Sequence, residues 1–360
     1  MDKHGFSKLL SGASRYIIAI LMAMMVGSLI ILAREENPIE VYGALVSGAV
    51  GNPVELLQTI RWTIPLILGG LANIIAFRAG IWNIGVEGQL LTGALASAVT
   101  GYALQGLPGY IHIPLCLLAG VCMGMIWALV PAISFVFLKL NEIITTLMMN
   151  YIALLLTEYL IRYHFHMEYE GEGLPNWVTT PEIANTAKLA QLAPPSQLNT
   201  GIFFAIGLAI LLSLVYRHFI FGYEADILGA NRRFAQYGGI RTNRTFLVLF
   251  LASSALAGLT GAIEVLGAQY RFDSMFPKGL GFDGVMVSLL AGNSPLGAIP
   301  AGFFVGMLKN GSFVIERVTN INRAAVSVIQ ALILLFFTAQ LWWPSVKKKT
   351  DAAWRRETDV

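Results

Sequence analysis

Polar side chains interrupt the long apolar runs of this chain, and they are the first candidates for chemistry. Amide and hydroxyl groups can hydrogen-bond a solute, and a carboxylate in the same setting can also carry a proton. Glu87 and Glu264 are carboxylates placed among glycines and apolar residues, where a charge needs water or a partner. The alternative for every such residue is a helix-end or interhelical hydrogen bond. The candidate solute-path residues are Asn73, Asn83, Glu87, Asn141, Asn150, Ser253, Glu264, Asp283 and Asn293.

Signatures of enzymes and of metal sites are missing from the sequence. It contains no GxxxxGK[ST] segment to cradle the phosphates of ATP and no HExxH segment to bind zinc. His164 and His166 are two residues apart, a spacing that does not bring them to one helix face. Cys116 and Cys122 lie in an apolar run without a CxxC or Cys/His spacing. We therefore expect this chain to bind no metal, and nothing in it points to nucleic acid.

The composition indicates a membrane protein. Of the 360 residues, 56% are hydrophobic and 12% are charged, whereas soluble domains carry roughly 25% charged residues. About 20 apolar residues cross a bilayer as one helix. We therefore predict an all-α, polytopic transmembrane bundle of about ten helices, including short or broken ones, within residues 1–345. The predicted elements are Tyr16–Ala33, Trp62–Phe77, Leu90–Leu104, Ile113–Leu138, Ile143–Ile161, Gly201–Tyr216, Thr245–Leu266, a broken helix within Gly284–Ile315, and Ala324–Trp343.

The distribution of Lys and Arg predicts the orientation of these spans. Basic residues concentrate at the N-terminus, in residues 217–244 and in the tail, residues 346–360, so these segments are predicted to be cytoplasmic. Residues 34–60 and 162–199 carry an excess of glutamate and are predicted to be external. The second of these is long enough to be a platform for an external partner or a linker.

A polar segment, Phe221–Arg244, separates two long apolar runs. Apolar residues recur in it at steps of three and four, which predicts one amphipathic helix, and Gly238-Gly239 supplies a stop signal. Such a helix can lie flat on the bilayer or dock into a groove of another protein. The apolar positions are Tyr223, Ile227, Ala230, Phe234 and Tyr237.

Charges that could balance an anionic solute are missing from three predicted spans. Trp62–Phe77, Ile143–Ile161 and Thr245–Leu266 contain polar residues but no Lys or Arg. An unpaired anion would be costly there, so we expect a neutral solute. We also expect Glu264 to hydrogen-bond across helices without titrating.

Two pairs of segments suggest a possible internal duplication. Leu68–Gly80 resembles Ala255–Gly267 in the spacing of its small residues, and Asn141–Leu156 resembles Asn322–Phe336. Transporters are often built from duplicated bundles. Glycine-rich apolar segments also resemble one another by chance, so both interpretations stay open.

Four segments, in order along the chain, resemble a known family. They are GGLANIIAFRAGIWNIGVEGQLL, NEIITTLMMNYIA, GANRRFAQYGGI and GFDGVMVSLLAGNSPLGAIPAG. Together they resemble the membrane permease subunit of bacterial ABC importers for simple sugars and nucleosides. The resemblance is to the nucleoside branch, whose binding protein is a lipoprotein of the basic membrane protein type, and it runs from about Leu56 to Trp343.

This resemblance implies a permease domain, residues 1–345, in the bacterial cytoplasmic (inner) membrane. Two permeases, here two different chains, would pair around a central path, and an external lipoprotein would deliver the solute. A partner ATPase would bind and hydrolyse ATP, so this chain would hold no cofactor. Glu224–Gly239 matches the coupling helix that docks into the ATPase, although Arg232 and Arg233 stand where many relatives have a less basic pair. The implied coupling residues are Glu224, Ile227, Leu228, Gly229, Asn231, Phe234, Gly238 and Gly239.

We therefore expect a transport subunit, not an enzyme, that moves a nucleoside or related simple sugar inward by alternating access. One alternative is a self-sufficient secondary transporter that uses Glu264 or Glu87 as an intramembrane carrier. Another is an intramembrane enzyme, which would need a paired acid or nucleophile within the bilayer, and the sequence shows none.

Overall fold

The computed structural model describes residues 21–22, 24–29, 31–33, 35–166, 178–274, 276–318, 327–328, 331–332 and 335–336. Part of the predicted first span, most of the last one, the tail and residues 167–177 lie outside these ranges. The described chain is helical, and its extended pairing consists of two isolated bridges. The all-α prediction is confirmed.

Described residues among 21–32 are helical, and eleven further α-helices have both ends within the described ranges, together with one 3-10 turn (Asn185–Ala187) and one π turn (Val265–Gln269). Six of them, α2, α4, α5, α6, α9 with the π turn that follows it, and α11, are long and apolar enough to cross a membrane. The helices are α1 (Pro38–Val50), α2 (Pro53–Arg78), α3 (Val86–Ala103), α4 (Gly109–Leu138), α5 (Glu142–Tyr163), α6 (Gly201–His218), α7 (Ile220–Ala230), α8 (Arg232–Tyr237), α9 (Thr242–Glu264), α10 (Leu280–Leu290) and α11 (Ala298–Val318).

The chain divides into two compact units. The larger is Leu56–Gly306, and the smaller combines Met1–Glu55 with Met307–Val360. Within the smaller unit, the Asn310 side-chain amide donates to the Gly48 carbonyl at 2.9 Å and to the Glu55 carbonyl at 3.1 Å. All of the candidate path and coupling residues lie in the larger unit.

Glycines set the packing of α3, α4 and α9 at the centre of the larger unit. A Cβ atom placed on Gly258 would lie 2.2 Å from the carbonyl oxygen of Gly120, and one on Gly261 would lie 2.1 Å from that of Leu90. No side chain fits at such distances, so these helices meet backbone to backbone. Small residues allow this close approach of helices in a membrane.

The long helices differ in how much of their surface the chain itself covers. The most apolar window of α2 is 83% buried, whereas that of α6 is 17% buried. Helix α6 leaves Phe203, Ile210 and Leu211 exposed. An apolar surface of this kind suits contact with lipid or with another membrane protein. Helix α2 is therefore an interior element, and α6 is a peripheral one.

The broken helix predicted within Gly284–Ile315 is confirmed. Helix α10 ends at Leu290, and α11 begins at Ala298. Between them, Gly292 and Asn293 have positive φ angles of 59° and 56°, a backbone region that ends a right-handed helix. Helix α10, with 11 residues, is only about 16 Å long at 1.5 Å per residue, too short to span a bilayer.

Two helix boundaries differ from the sequence-based prediction. Helix α2 begins at Pro53 and not at Trp62, because Asn52 accepts the Glu55 backbone N–H at 2.9 Å and Pro53 favours a first helical turn. The predicted single helix over Tyr223–Tyr237 is wrong, since it is divided into α7 and α8 at Asn231.

The division at Asn231 has a local cause. Its backbone is extended, with φ −161° and ψ 108°. Its side-chain oxygen accepts the N–H groups of Arg233 and Phe234 at 3.0 and 3.1 Å. This is an N-cap, which starts a new helix instead of continuing the old one. The periodicity of the apolar residues alone could not reveal it.

Residues 178–200 fold onto the end of α9. Backbone N–H groups of Thr180, Ile183 and Leu189 donate to the carbonyls of Phe272, Tyr270 and Leu266 at 2.8, 2.9 and 2.8 Å. The Lys188 ammonium, 2.6 Å from Glu182, lowers the pKa of that carboxyl. This part of the predicted external segment is packed on residues 266–272 and is not an extended linker.

The internal duplication stays a prediction. Leu68–Gly80 covers the end of α2, and Ala255–Gly267 covers the end of α9 and the start of its π turn. Most of Asn322–Phe336 lies outside the described residues.

The glycine contacts predict a position-dependent response to the smallest possible side chain. Gly258→Ala should lower the unfolding midpoint in detergent, because its methyl group meets the Gly120 carbonyl and overpacking costs about 1–3 kcal/mol or more. Gly207→Ala on α6 is the matched control, since nothing lies within 4 Å of a Cβ there. Equal midpoints for the two variants would contradict the packing described here.

Candidate solute path and coupling region

A buried amide cluster lies where the chain passes from α2 to α3. The Asn83 amide donates to Gln89 Oε1 at 3.1 Å and to Ser253 Oγ at 3.0 Å, and Gln89 Nε2 donates back to Asn83 Oδ1 at 3.1 Å. The Ser253 hydroxyl donates to the Ala72 carbonyl at 2.7 Å. These bonds join α2, α3 and α9 through groups that carry no charge.

Asn150 of α5 bonds the backbone just before the start of α3 and in its first turn. Its amide donates to the Ile84 carbonyl at 2.8 Å, and its side-chain oxygen accepts the Gly88 N–H at 2.8 Å. The segment between α2 and α3 therefore receives side-chain partners for its backbone. Such partners are what buried backbone groups outside a helix require.

Glu87 caps the buried start of α10. Its two carboxylate oxygens accept the N–H groups of Gly279 and Gly281, each at 2.6 Å. The N-terminus of a helix carries partial positive charge, so a carboxylate is favoured there. Asn73 lies beside it, donating to the Gly69 carbonyl at 2.9 Å and to that of Gly281 at 3.4 Å. The predicted path residues Asn73, Asn83, Glu87, Asn150 and Ser253 thus form one buried region.

Glu264 forms a buried ion pair that the sequence-based reading missed. Its carboxylate binds the guanidinium of Arg61, and the side chains are 3% and 2% exposed. Gln269 Nε2 also donates to Glu264 at 3.1 Å. The cross-helix bond predicted for Glu264 is confirmed, but its partner is an arginine. Arg61 was not among the candidates because the predicted span began at Trp62, whereas the helix begins at Pro53.

This pair corrects one premise of the neutral-solute expectation. An arginine does lie within α2, yet the carboxylate of Glu264 balances its charge. Glu264 is therefore the counter-ion of Arg61, and a buried charge without its partner is strongly unfavourable. The arrangement therefore disfavours the secondary-transporter alternative, in which Glu264 carries protons.

Three predicted path residues lie at helix ends and are less buried than the five residues above. Asn141 is exposed and caps α5, accepting the Ile143 N–H at 2.8 Å. Asp283 lies in the first turn of α10 and is half-buried. Asn293 follows α10 in the left-handed conformation. For Asn141 the helix-cap interpretation is the one that the structure supports.

The predicted coupling region is anchored to the end of α2. Arg78 donates to Asp226 through Nε at 2.8 Å and through Nη2 at 2.5 Å. Leu228 is 5% exposed, and a Cβ atom on Gly229 would lie 2.0 Å from the Arg78 carbonyl oxygen. Leu228 is therefore buried in its own chain, whereas Gly229 is exposed but packs on the backbone of Arg78.

Other residues of α7 and α8 are open to a partner. Tyr223, Phe234 and Tyr237 are 62%, 61% and 91% exposed. Glu224 is half-buried and accepts the Thr245 hydroxyl at 3.1 Å, and Ile227 is also half-buried. The remaining predicted coupling residues that are exposed are Asn231, Gly238 and Gly239.

Comparison with known proteins agrees with this geometry. Residues 55–338 match the family described as the permease component of branched-chain amino acid transport systems. The chain belongs to this permease family. It is a multi-pass membrane subunit of an ABC transporter, and a separate subunit of the transporter hydrolyses ATP.

Named relatives cover nearly the whole permease. It is 35% identical to the guanosine ABC transporter permease protein NupP of Bacillus subtilis, over 89% of this chain and 91% of that protein. It is 31% identical to the glucose ABC transporter permease protein TsgB13 of Haloferax volcanii, over 89% and 85%. It is 30% identical to the nucleoside ABC transporter permease protein NupB of Lactococcus lactis, over 90% of each chain. The family resemblance stated from the sequence is confirmed.

The Arg61–Glu264 pair predicts an asymmetric response to substitution. Glu264→Gln should destabilise the permease by about 3–5 kcal/mol, because it leaves the buried guanidinium without its carboxylate. The combination Arg61→Met with Glu264→Met, which removes both charges and retains most of the volume, should cost less. Unfolding midpoints in detergent measure both. A Glu264→Gln variant that is as stable as wild type, but whose uptake no longer depends on pH, would favour the proton-carrier alternative.

Proposed function

We propose that the permease moves a neutral nucleoside, or a related simple sugar, into the cell by alternating access, driven by ATP hydrolysis in a partner subunit. The observation that carries this proposal is the balance of charge inside the larger unit. The path candidates there are amides and hydroxyls, the guanidinium of Arg61 is paired with Glu264, and Glu87 is held by two backbone N–H groups. A neutral, hydroxyl-rich solute can exchange hydrogen bonds in such a region without an unpaired charge. The names of the relatives NupP and NupB support the nucleoside, and that of TsgB13 supports the sugar.

The partners proposed for this function follow from the exposed surfaces and from the family. An ABC ATPase would dock on α7 and α8 and would bind the ATP, so that the permease itself holds no cofactor. A second, different permease chain would complete the path. An external lipoprotein would deliver the solute to the side that carries residues 178–200.

The proposed location is the bacterial inner membrane, with both termini and residues 217–244 in the cytoplasm. The distribution of Lys and Arg supports this orientation. The permease domain would extend over residues 1–345, with residues 162–199 external and a basic cytoplasmic tail from residue 346.

Uptake by the reconstituted transporter tests the solute. Proteoliposomes that contain the permease, its partner permease, the ATPase and the binding lipoprotein should accumulate labelled guanosine only when ATP is supplied to the ATPase. Unlabelled uridine in excess should compete, because it is neutral and shares the ribose. An excess of 5′-GMP should not compete, because its phosphate is charged and none of the described path candidates is a cation. Competition by glucose without competition by uridine would indicate that the transported solute is a simple sugar and not a nucleoside. Equal competition by 5′-GMP and uridine would contradict the neutral-solute proposal.

Truncation of exposed aromatic residues tests the docking surface. Phe234→Ala with Tyr237→Ala should reduce co-purification of the ATPase, since aromatic residues that become buried at an interface supply much of its binding energy. Tyr110→Ala is the matched control, because Tyr110 is 80% exposed and lies at the start of α4, away from α8. If the ATPase co-purifies normally with the double variant, the proposal that it docks on Phe234 and Tyr237 of α8 is wrong.

A further inference from the structure

Arg78 is the last residue of α2, and its guanidinium contacts one residue of α7 and one of α6. Its guanidinium makes two parallel hydrogen bonds to the Asp226 carboxylate, at 2.8 and 2.5 Å. The same guanidinium lies 4.0 Å from the ring centre of Tyr216. A bidentate pair fixes the relative orientation of its partners as well as their distance, and stacking on an aromatic ring restricts the arginine further.

A backbone contact reinforces this connection. Gly229 of α7 packs on the carbonyl oxygen of Arg78, 2.0 Å from an added Cβ, and Gly80 packs on the Cα of Gly229, 3.1 Å from an added Cβ. Gly80 has a φ of 68°, a conformation that other residues rarely adopt. With no side chain between them, α7 and the end of α2 have little room to slide past each other.

The same end of α2 leads directly to the buried polar region. Asn73 is five residues before Arg78, about 7.5 Å along the helix at 1.5 Å per residue. It bonds the start of α10 through the Gly281 carbonyl, and the preceding residue, Ala72, accepts the Ser253 hydroxyl. A displacement of α7 that moves Arg78 therefore also moves groups that hold α9 and α10.

We propose that the Arg78–Asp226 pair transmits movement from the ATPase-docking helices α7 and α8 to α2 and the solute path. Arg78 and Asp226 are positioning residues in this proposal, and neither contacts the solute. The pair is 25% and 44% exposed, and partly exposed ion pairs contribute little to stability. The role of the pair would be to connect α7 to the end of α2. This inference rests on the proposed function.

The test measures coupling separately from assembly. Arg78→Gln and Asp226→Asn keep the size of each side chain and remove one charge. The complete transporter carrying either variant should still co-purify with its ATPase and hydrolyse ATP. The number of guanosine molecules imported per ATP should fall about tenfold, within the usual range of coupling between sites. Arg78→Lys keeps the charge but loses the bidentate contact, so its import per ATP should lie between that of wild type and that of Arg78→Gln.

A matched control is available in a second arginine pair. Arg162 lies 3.5 Å from Glu158, the two are 50% and 44% exposed, and Arg162 is in the last turn of α5. Arg162→Gln should import as much guanosine per ATP as wild type. The proposal is overturned if Arg78→Gln does the same. It is also overturned if Arg78→Gln loses the ATPase from the purified complex, since the pair would then serve docking. Failure of the proposed function looks different, because the wild-type transporter would then show no ATP-driven guanosine uptake.

Discussion

Buried backbone groups outside a helix need hydrogen-bond partners within the protein, and this constraint explains several polar side chains of the larger unit. The helices are interrupted between α2 and α3 and again before α10. Each interruption leaves N–H and C=O groups without helical partners, and a buried group without a partner is costly. Asn150 supplies the missing partners of Ile84 and Gly88, and Glu87 those of Gly279 and Gly281. Asn150 and Glu87 therefore have a structural role that does not depend on transport.

Buried charge also needs compensation within the protein. Arg61 and Glu264 are almost fully buried and compensate each other. Such pairs are weak evidence for stability, because desolvation offsets much of their attraction. What the pair does secure is the absence of net charge at the buried contact between Arg61 of α2 and Glu264 of α9. An interior of this kind is compatible with a neutral solute, and it restricts the chemistry that the carboxylate itself can perform.

Close backbone contacts join helices of the larger unit rigidly to one another. Gly258 on Gly120 joins the central helices, and Gly229 on Arg78 joins the coupling region to α2. Well-packed contacts of this type transmit strain instead of absorbing it. Because α2 carries Arg78 at its end and Asn73 within its buried part, the docking surface and the polar interior share one helix.

The sequence by itself determined the class of fold, the broken helix before Ala298, the family and six of the buried polar residues. These depend on composition, on apolar run length and on local signals such as Asn293 and Pro295, which act within a few residues. Only the tertiary structure decided what those residues bind. Arg61 meets Glu264 across about 200 positions of sequence and Arg78 meets Asp226 across about 150, and no local pattern encodes such pairs. Leu228 was predicted to bind the ATPase, yet it is buried in its own chain, because the direction in which a helical face points depends on what packs against it.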